Sequence, residues 1–172
     1  MKVKDIMTRE VLTCRQSDSL HSAASLMWDH DCGCVPVLND DDRVIAMLTD
    51  RDICMAAYSQ GRPVSWLPVA GAMSKTLHTC AATDSLAAVR KTMRSNRVRR
   101  LPVIDSEDRL VGILSLGDLA RESVRASEVS KNGVSATHVG ETLSAICSRG
   151  AEETAPSGAR RTRRKRGSTD TV

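Results

Sequence analysis

The chain has 172 residues, a formal net charge of +4 and 41% apolar residues, with two tryptophans, one tyrosine and no phenylalanine. That length suits one ordinary domain or two very small ones, and the core must be built from Leu, Val, Ile, Met and Ala. No stretch approaches 18 consecutive apolar residues, which argues against a membrane-spanning helix, and Met1–Thr8 lacks the apolar run of a secretory signal. The expectation is therefore a cytoplasmic protein whose six cysteines stay reduced. Cys32-Gly33-Cys34 has no second pair or His pair to complete a zinc site, so these cysteines read as small core residues. Residues 1–149 hold 19 basic and 18 acidic side chains, whereas 150–172 hold six and three, so the basic pI describes the tail more than the body.

An internal repeat organises the chain. Shifted by 66 residues, Val3–Cys54 matches Val69–Ala120 without a gap, with 14 identities in 52 positions. These include Met7/Met73, Cys14/Cys80, Asp18/Asp84, Pro36/Pro102, Arg43/Arg109 and Asp52/Asp118. Two copies are too few for a solenoid, so two units facing each other about a pseudo-twofold axis are expected.

In chain order, Val11–Thr13 and Leu77–Thr79 suit short strands. Ser17-Asp18-Ser19 and Thr83-Asp84-Ser85 offer helix caps. Leu20, Ala23, Ala24 and Met27 then share a helical face, as do Leu86, Val89 and Met93. Val35–Leu38 and Arg43–Leu48 form a predicted hairpin around Asn39–Asp42, repeated by Val103–Asp105 and Leu110–Leu114. A second helix is expected from Ile53 and from Leu119. The fold class is α/β, with strand-helix-strand-strand-helix in each copy. The expected divisions are repeat one at 1–58, a linker at 59–68 broken by Gly61, Pro63 and Pro68, repeat two at 69–125, a helical segment at 126–150 and a disordered basic tail at 151–172. Within 126–150, Val134–Gly150 has a helical period, with Ser135 as cap and Gly150 as stop. Glu122–Gly133 is polar and has no clear period.

The order of elements, the Pro-Val strands and the ending Gly112-Ile-Leu-Ser-Leu-Gly-Asp-Leu119 resemble the cystathionine β-synthase (CBS) domain family, whose tandem pairs are called Bateman modules. The resemblance covers Val3 to about Arg121. It implies a regulatory module that binds an adenosine-containing ligand in clefts between the repeats. By the family pattern, Thr49 and Asp52 in copy one and Ser115 and Asp118 in copy two stand at ligand-binding helix starts, the Asp accepting from ribose hydroxyls. The same Ser/Thr-x-x-Asp spacing is also a helix-capping signature that needs no ligand. Arg99 and Arg100, just before Leu101-Pro102-Val103, match positions that reach phosphates, and Arg97 is a weaker candidate. A guanidinium suits phosphate because it is always charged and presents a planar fork. The alternative for these arginines is a solvated surface or ion pairs with the acidic turn Asn39–Asp42.

The family also implies that each cleft mixes the two copies. The Thr49/Asp52 cleft would face Arg99 and Arg100, with Arg51 beside it, and favour the more phosphorylated ligand. The Ser115/Asp118 cleft would face neutral Gly33 and Cys34. Thr13, Thr79 and Pro102 are carried as ligand-lining. A glycine usual in the family is Ala46 in copy one, where its Cβ is expected to narrow the pocket, although Gly112 is present in copy two. The implied ligands are AMP, ADP or ATP, with S-adenosylmethionine or NAD as alternatives. The implied partners are a second copy and a separate effector protein.

The block Arg160–Arg166 gives the competing reading, a nucleic-acid- or polyanion-associated protein acting through its tail. No catalytic triad, phosphate-binding loop or zinc-protease motif is present, so an enzyme is not expected.

Overall fold

The structure, a computed structural model, describes residues 1–129 and 134–148. The expected stop at Gly150 and the Arg160–Arg166 block lie outside the described residues.

Repeat one comprises β1 (Cys14–Arg15), α1 (Leu20–Asp29), β2 (Cys34–Leu38), β3 (Val44–Thr49) and α2 (Asp50–Gln60). Repeat two comprises β4 (Cys80–Ala81), α3 (Leu86–Asn96), β5 (Arg100–Ile104), β6 (Leu110–Ser115) and α4 (Leu116–Val129), followed by α5 (Ala136–Cys147). Each repeat builds a three-stranded sheet. The first is ordered β1-β2-β3 and the second β4-β5-β6, with the first pair parallel and the second antiparallel. The mixed α/β order thus matches the sequence expectation, although the first strand of each repeat is two residues long and begins just after Thr13 or Thr79. The second helices begin three residues earlier than expected, at Asp50 and Leu116. Ser19 and Ser85 cap α1 and α3, accepting hydrogen bonds from Ser22 N–H and Ala88 N–H.

Two apolar cores lie under the two sheets. Leu20, Val35, Val37, Leu48 and Leu67 are central to the first, and Val89, Met93, Leu101, Leu114 and Leu119 to the second. The segments that open the repeats cross over. Val3, fully buried, packs in the second core with Ile6 and Met7 against it, and Val3 N–H and Lys4 N–H donate to Asp84 O and Ala82 O at 3.0 Å each. Reciprocally, Val69 is fully buried in the first core, with Val69 N–H donating to Asp18 O at 2.8 Å and Ala70 N–H to Gln16 O at 3.0 Å. We call these segments straps. Arg43 and Arg109, equivalent under the 66-residue shift, pair in an isolated bridge, which puts the pseudo-twofold axis between them.

The first strap accounts for the glycine at position 112. A Cβ on Gly112 would lie 2.7 Å from Met7 Sδ and 2.9 Å from the Thr8 carbonyl, so the first strap runs directly over a residue that must lack a side chain. Ala46 is fully buried in the first core. Along β3 the side chains alternate, with Val44, Ala46 and Leu48 inward and Met47 and Thr49 partly exposed. The expectation that Ala46 narrows a ligand pocket is therefore corrected, because its methyl group points into the core.

The polar stretch after Arg121 is also more ordered than its composition suggests. α4 continues to Val129, with Leu119, Glu122 and Ser123 buried, and Ala, Arg and Glu supply good helix formers. α5 lies against α3 and α4. Its Ser135 cap accepts from His138 N–H, Val134 and Thr142 are buried, and Val139 and Ile146 pack on the second core. Helix α5 would be marginal in isolation, so this packing is what holds it.

Candidate functional site

Both second helices begin with the same self-contained cap. The Thr49 N–H and hydroxyl donate to Asp52 Oδ2 at 2.9 and 2.7 Å, and Asp52 N–H donates to Thr49 Oγ1 at 3.2 Å. The Ser115 N–H and hydroxyl donate to Asp118 Oδ2 at 2.7 Å each, with Asp118 N–H returning to Ser115 Oγ at 3.2 Å. Each capping box consumes one carboxylate oxygen. The second oxygen distinguishes the repeats. Asp118 Oδ1 accepts from Arg121, one turn further along α4, in an ion pair with Asp118 buried at 7% exposure. Position 55 corresponds to 121 and holds Met, so Asp52 Oδ1 has no hydrogen bond among the described residues.

Each cap opens onto a cleft that both repeats build. The larger, about 510 Å³, is lined by Thr49, Asp50, Arg51 and Asp52 from repeat one and by Arg97, Val98, Arg99 and Arg100 from repeat two. Ser74, Thr76 and His78 of the second strap close it, with Met47 from β3 and Gly33 and Cys34 from the start of β2. The smaller, about 270 Å³, joins Ser115, Asp118 and Arg121 to Thr8, Glu10 and Leu12 of the first strap, with His30, Cys32, Gly33, Cys34 and Arg100 also on its wall. The structure thus brings Thr49, Arg51, Asp52, Arg99 and Arg100 into one cleft and Ser115 and Asp118 into the other. Arg97 joins the first group. It ends α3 in the left-handed region at φ 53°, which turns the chain so that Val98, Arg99 and Arg100 run up to β5.

Thr13, Thr79 and Pro102, the other expected ligand-lining residues, are not among those that line the two clefts. The half-buried Thr13 and Thr79 stand next to strand residues Cys14 and Cys80, while their neighbours Leu12 and His78 line the clefts instead. Pro102 is buried within β5 opposite Ile113. Sequence reasoning missed Met47, Asp50, Ser74, Thr76 and His78. A signal was present in Ser74-Lys75-Thr76-Leu77-His78, where polar residues with hydrogen-bonding side chains recur at every second position.

The larger cleft sets four arginines against Asp50 and Asp52, and the smaller sets Arg100 and Arg121 against Glu10 and Asp118. Arg51, Arg97, Arg99 and Arg100 make no ion pair with a carboxylate among the described residues, whereas the acidic turn is partnered by Arg15, whose guanidinium meets Asp42 at 2.6 Å and the Asn39 carbonyl at 2.8 Å. Four free guanidinium groups around one cavity favour an anion with several oxygens. In the smaller cleft Arg121 is already engaged by Asp118, which leaves Arg100, shared with the larger cleft, as its guanidinium without an ion pair among the described residues.

The buried cysteines are inert by environment. Burial pushes the Cys14 thiol up to about 11 and Cys80 up to about 12, with Asp18 and Asp84 adding to the respective shifts. Burial also raises Cys34, partly opposed by the nearby Arg100 charge. No group of three or more metal-ligating side chains comes together among the described residues. Alkylation at pH 8 should modify the exposed Cys54 and Cys147 and spare Cys14, Cys34 and Cys80 until the protein unfolds, as mapped by peptide mass spectrometry. Labelling of Cys80 as fast as Cys54 would contradict this. Because the unfolded chain ionises these thiols near 9.0 while the folded one holds them neutral, their contribution to stability is complete below pH 9 and declines as pH rises toward 11–12.

Comparison with known proteins places these features among relatives. A family model described as CBS domain matches residues 3–59 and again 69–125. Over 118 residues the chain is 41% identical to the CBS domain-containing protein YhcV of Bacillus subtilis, covering 69% of this chain and 82% of that protein. It is 36% identical to Hypoxic response protein 1 of Mycobacterium tuberculosis over the same shares. The crystal structure of Hypoxic Response Protein I with two coordinated zinc ions superposes with a TM-score of 0.64 at 34% identity, covering 70% of this chain and 98% of that one. The CBS domain pair of protein MJ0100, in complex with 5′-methylthioadenosine and S-adenosyl-L-methionine, has a TM-score of 0.63 at 23% identity over the same shares, a likeness of fold. No helix among the described residues is long and apolar enough to cross a membrane.

Proposed function

The chain belongs to the CBS-domain family, carrying two such domains in tandem, and from that premise we propose that it is a non-catalytic sensor of an adenosine nucleotide. The ligand seats in the larger cleft, its ribose hydroxyls on Asp52 Oδ1 and its phosphates on Arg99 and Arg100, with Arg51 and Arg97 adding positive field. The observation that carries this reading is the combination, in one cavity of about 510 Å³, of a half-used Asp52 carboxylate and four arginines that form no ion pair among the described residues, with Asp50 the cavity's other carboxylate. A carboxylate oxygen accepts from a vicinal diol, and the helix N-terminus behind it favours negative charge. AMP, ADP and ATP fit this chemistry best because each adds phosphate oxygens to the same nucleoside. The MJ0100 pair, which shares the fold, was solved with adenosine-containing ligands.

Such a ligand bridges elements of both repeats, so it stabilises their closed arrangement and can shift the contacts that a second copy or a separate effector makes. A thermal-shift screen with AMP, ADP, ATP, NAD and S-adenosylmethionine tests the assignment. A ligand at 100 times its dissociation constant should stabilise the fold by about 2.7 kcal/mol. Asp52→Asn should reduce the response to the active ligand. Unchanged melting with all five compounds would overturn the proposal.

A further inference from the structure

Gly33, Cys34 and Arg100 line both clefts. Cys34 and Arg100 occupy the same place in the two repeats. Each opens the middle strand of its sheet, and each pairs across the hairpin with its own helix cap, Cys34 with Thr49 and Arg100 with Ser115. The two positions therefore form a party wall between the clefts. With arginine at both, each cleft would own a guanidinium. This chain has one guanidinium and one thiol. Cys34 is buried at 8% exposure and is no substitute for a cation. In the smaller cleft the other guanidinium, Arg121, is held by Asp118, and Glu10 adds negative charge.

We propose that Arg100 is shared between the two clefts and sets them in opposition, so that a phosphate seated in the larger cleft weakens anion binding in the smaller. This rests on the nucleotide reading above. One planar fork satisfies one phosphate bidentately. A second phosphate approaching from the other side finds that fork engaged and meets the like charge of the first across the shared wall. Coupling between sites is reciprocal, so filling the smaller cleft weakens the larger by the same factor.

Calorimetric titration of the full chain with AMP tests this. Thr76, exposed on the rim of the larger cleft, is changed to Trp to fill that cleft, and Asp52→Asn serves as an independent variant that weakens it without added bulk. The unaltered chain should show a tight and a weak site. Each variant should bind AMP in the smaller cleft roughly 5-fold or more tightly than that weak site. On an Arg100→Ala background the gain should vanish. If the unaltered chain takes one AMP, one AMP of different affinity on Thr76→Trp supports the coupling, whereas the same affinity overturns it. An unchanged second-site constant, or no AMP on Thr76→Trp, also overturns it. No AMP on the unaltered chain removes the nucleotide reading itself.

Discussion

Replacing Arg99 and Arg100 together by alanine should weaken binding of ADP or ATP by about two orders of magnitude and change adenosine binding by no more than a few-fold. Hydrogen bonds to a charged group contribute about 1.5–3 kcal/mol each, and two guanidinium groups that meet phosphate are removed. Arg51 and Arg97 remain in the cleft and hold part of the field, which places the loss toward the lower end of the sum, near 3 kcal/mol, or about 100-fold at 1.4 kcal/mol per decade. Both side chains are exposed and lie outside the cores, so the fold should survive. Isothermal titration across AMP, ADP, ATP and adenosine separates phosphate contact from nucleoside contact. The unaltered chain should also lose affinity for ATP as salt rises, more steeply than the double variant, because exposed charges are screened over a Debye length of about 8 Å at physiological ionic strength. Equal losses for adenosine and ATP would place these arginines away from the phosphates.

The second large effect concerns stability. Val3→Asp should cost about 3–5 kcal/mol, a magnitude set by burying an unpaired carboxylate where a fully buried Val packs. For a domain of this size this lowers the melting temperature by roughly 10 °C or more. The loss should appear first in the second repeat, to which Val3 contributes, and hydrogen exchange should locate it at β6, where Thr8 and Ile113 exchange backbone hydrogen bonds at 3.0 and 2.8 Å. Val69→Asp should do the same to the first repeat. If Val3→Asp melted like the unaltered chain, the first strap would not be docked as described.

Much of this architecture was legible in the sequence. The gapless 66-residue shift gave two equivalent units, and Thr49-x-x-Asp52 and Ser115-x-x-Asp118 gave the cap positions. What could not be read was which core each strap enters. Val3 and Val69 are the same residue at the same place in the repeat, and self-alignment states equivalence, not contact. The family pattern places a glycine where Ala46 stands, but the two-residue period of β3 puts Ala46 on the inward face with Val44 and Leu48. The inequality of the two carboxylates was visible as Met55 against Arg121, but its meaning required knowing that Arg121 turns back onto Asp118. Ser74, Thr76 and His78 were hidden because their segment bends and forms no strand, although its polar residues alternate.

The crossing of the opening segments has a consequence for the integrity of the polypeptide. A protease cut near Gly61, between α2 and the turn that follows, would break covalent continuity and yet free neither half, since each fragment still holds the other's first residues in its interior. Conversely, a gene encoding one unit alone would give a product with an unfilled slot and a spare tongue, and two such molecules could complete one another. Joining two of them end to end gives the present arrangement, and it lets the facing walls differ, with Cys34 on one and Arg100 on the other.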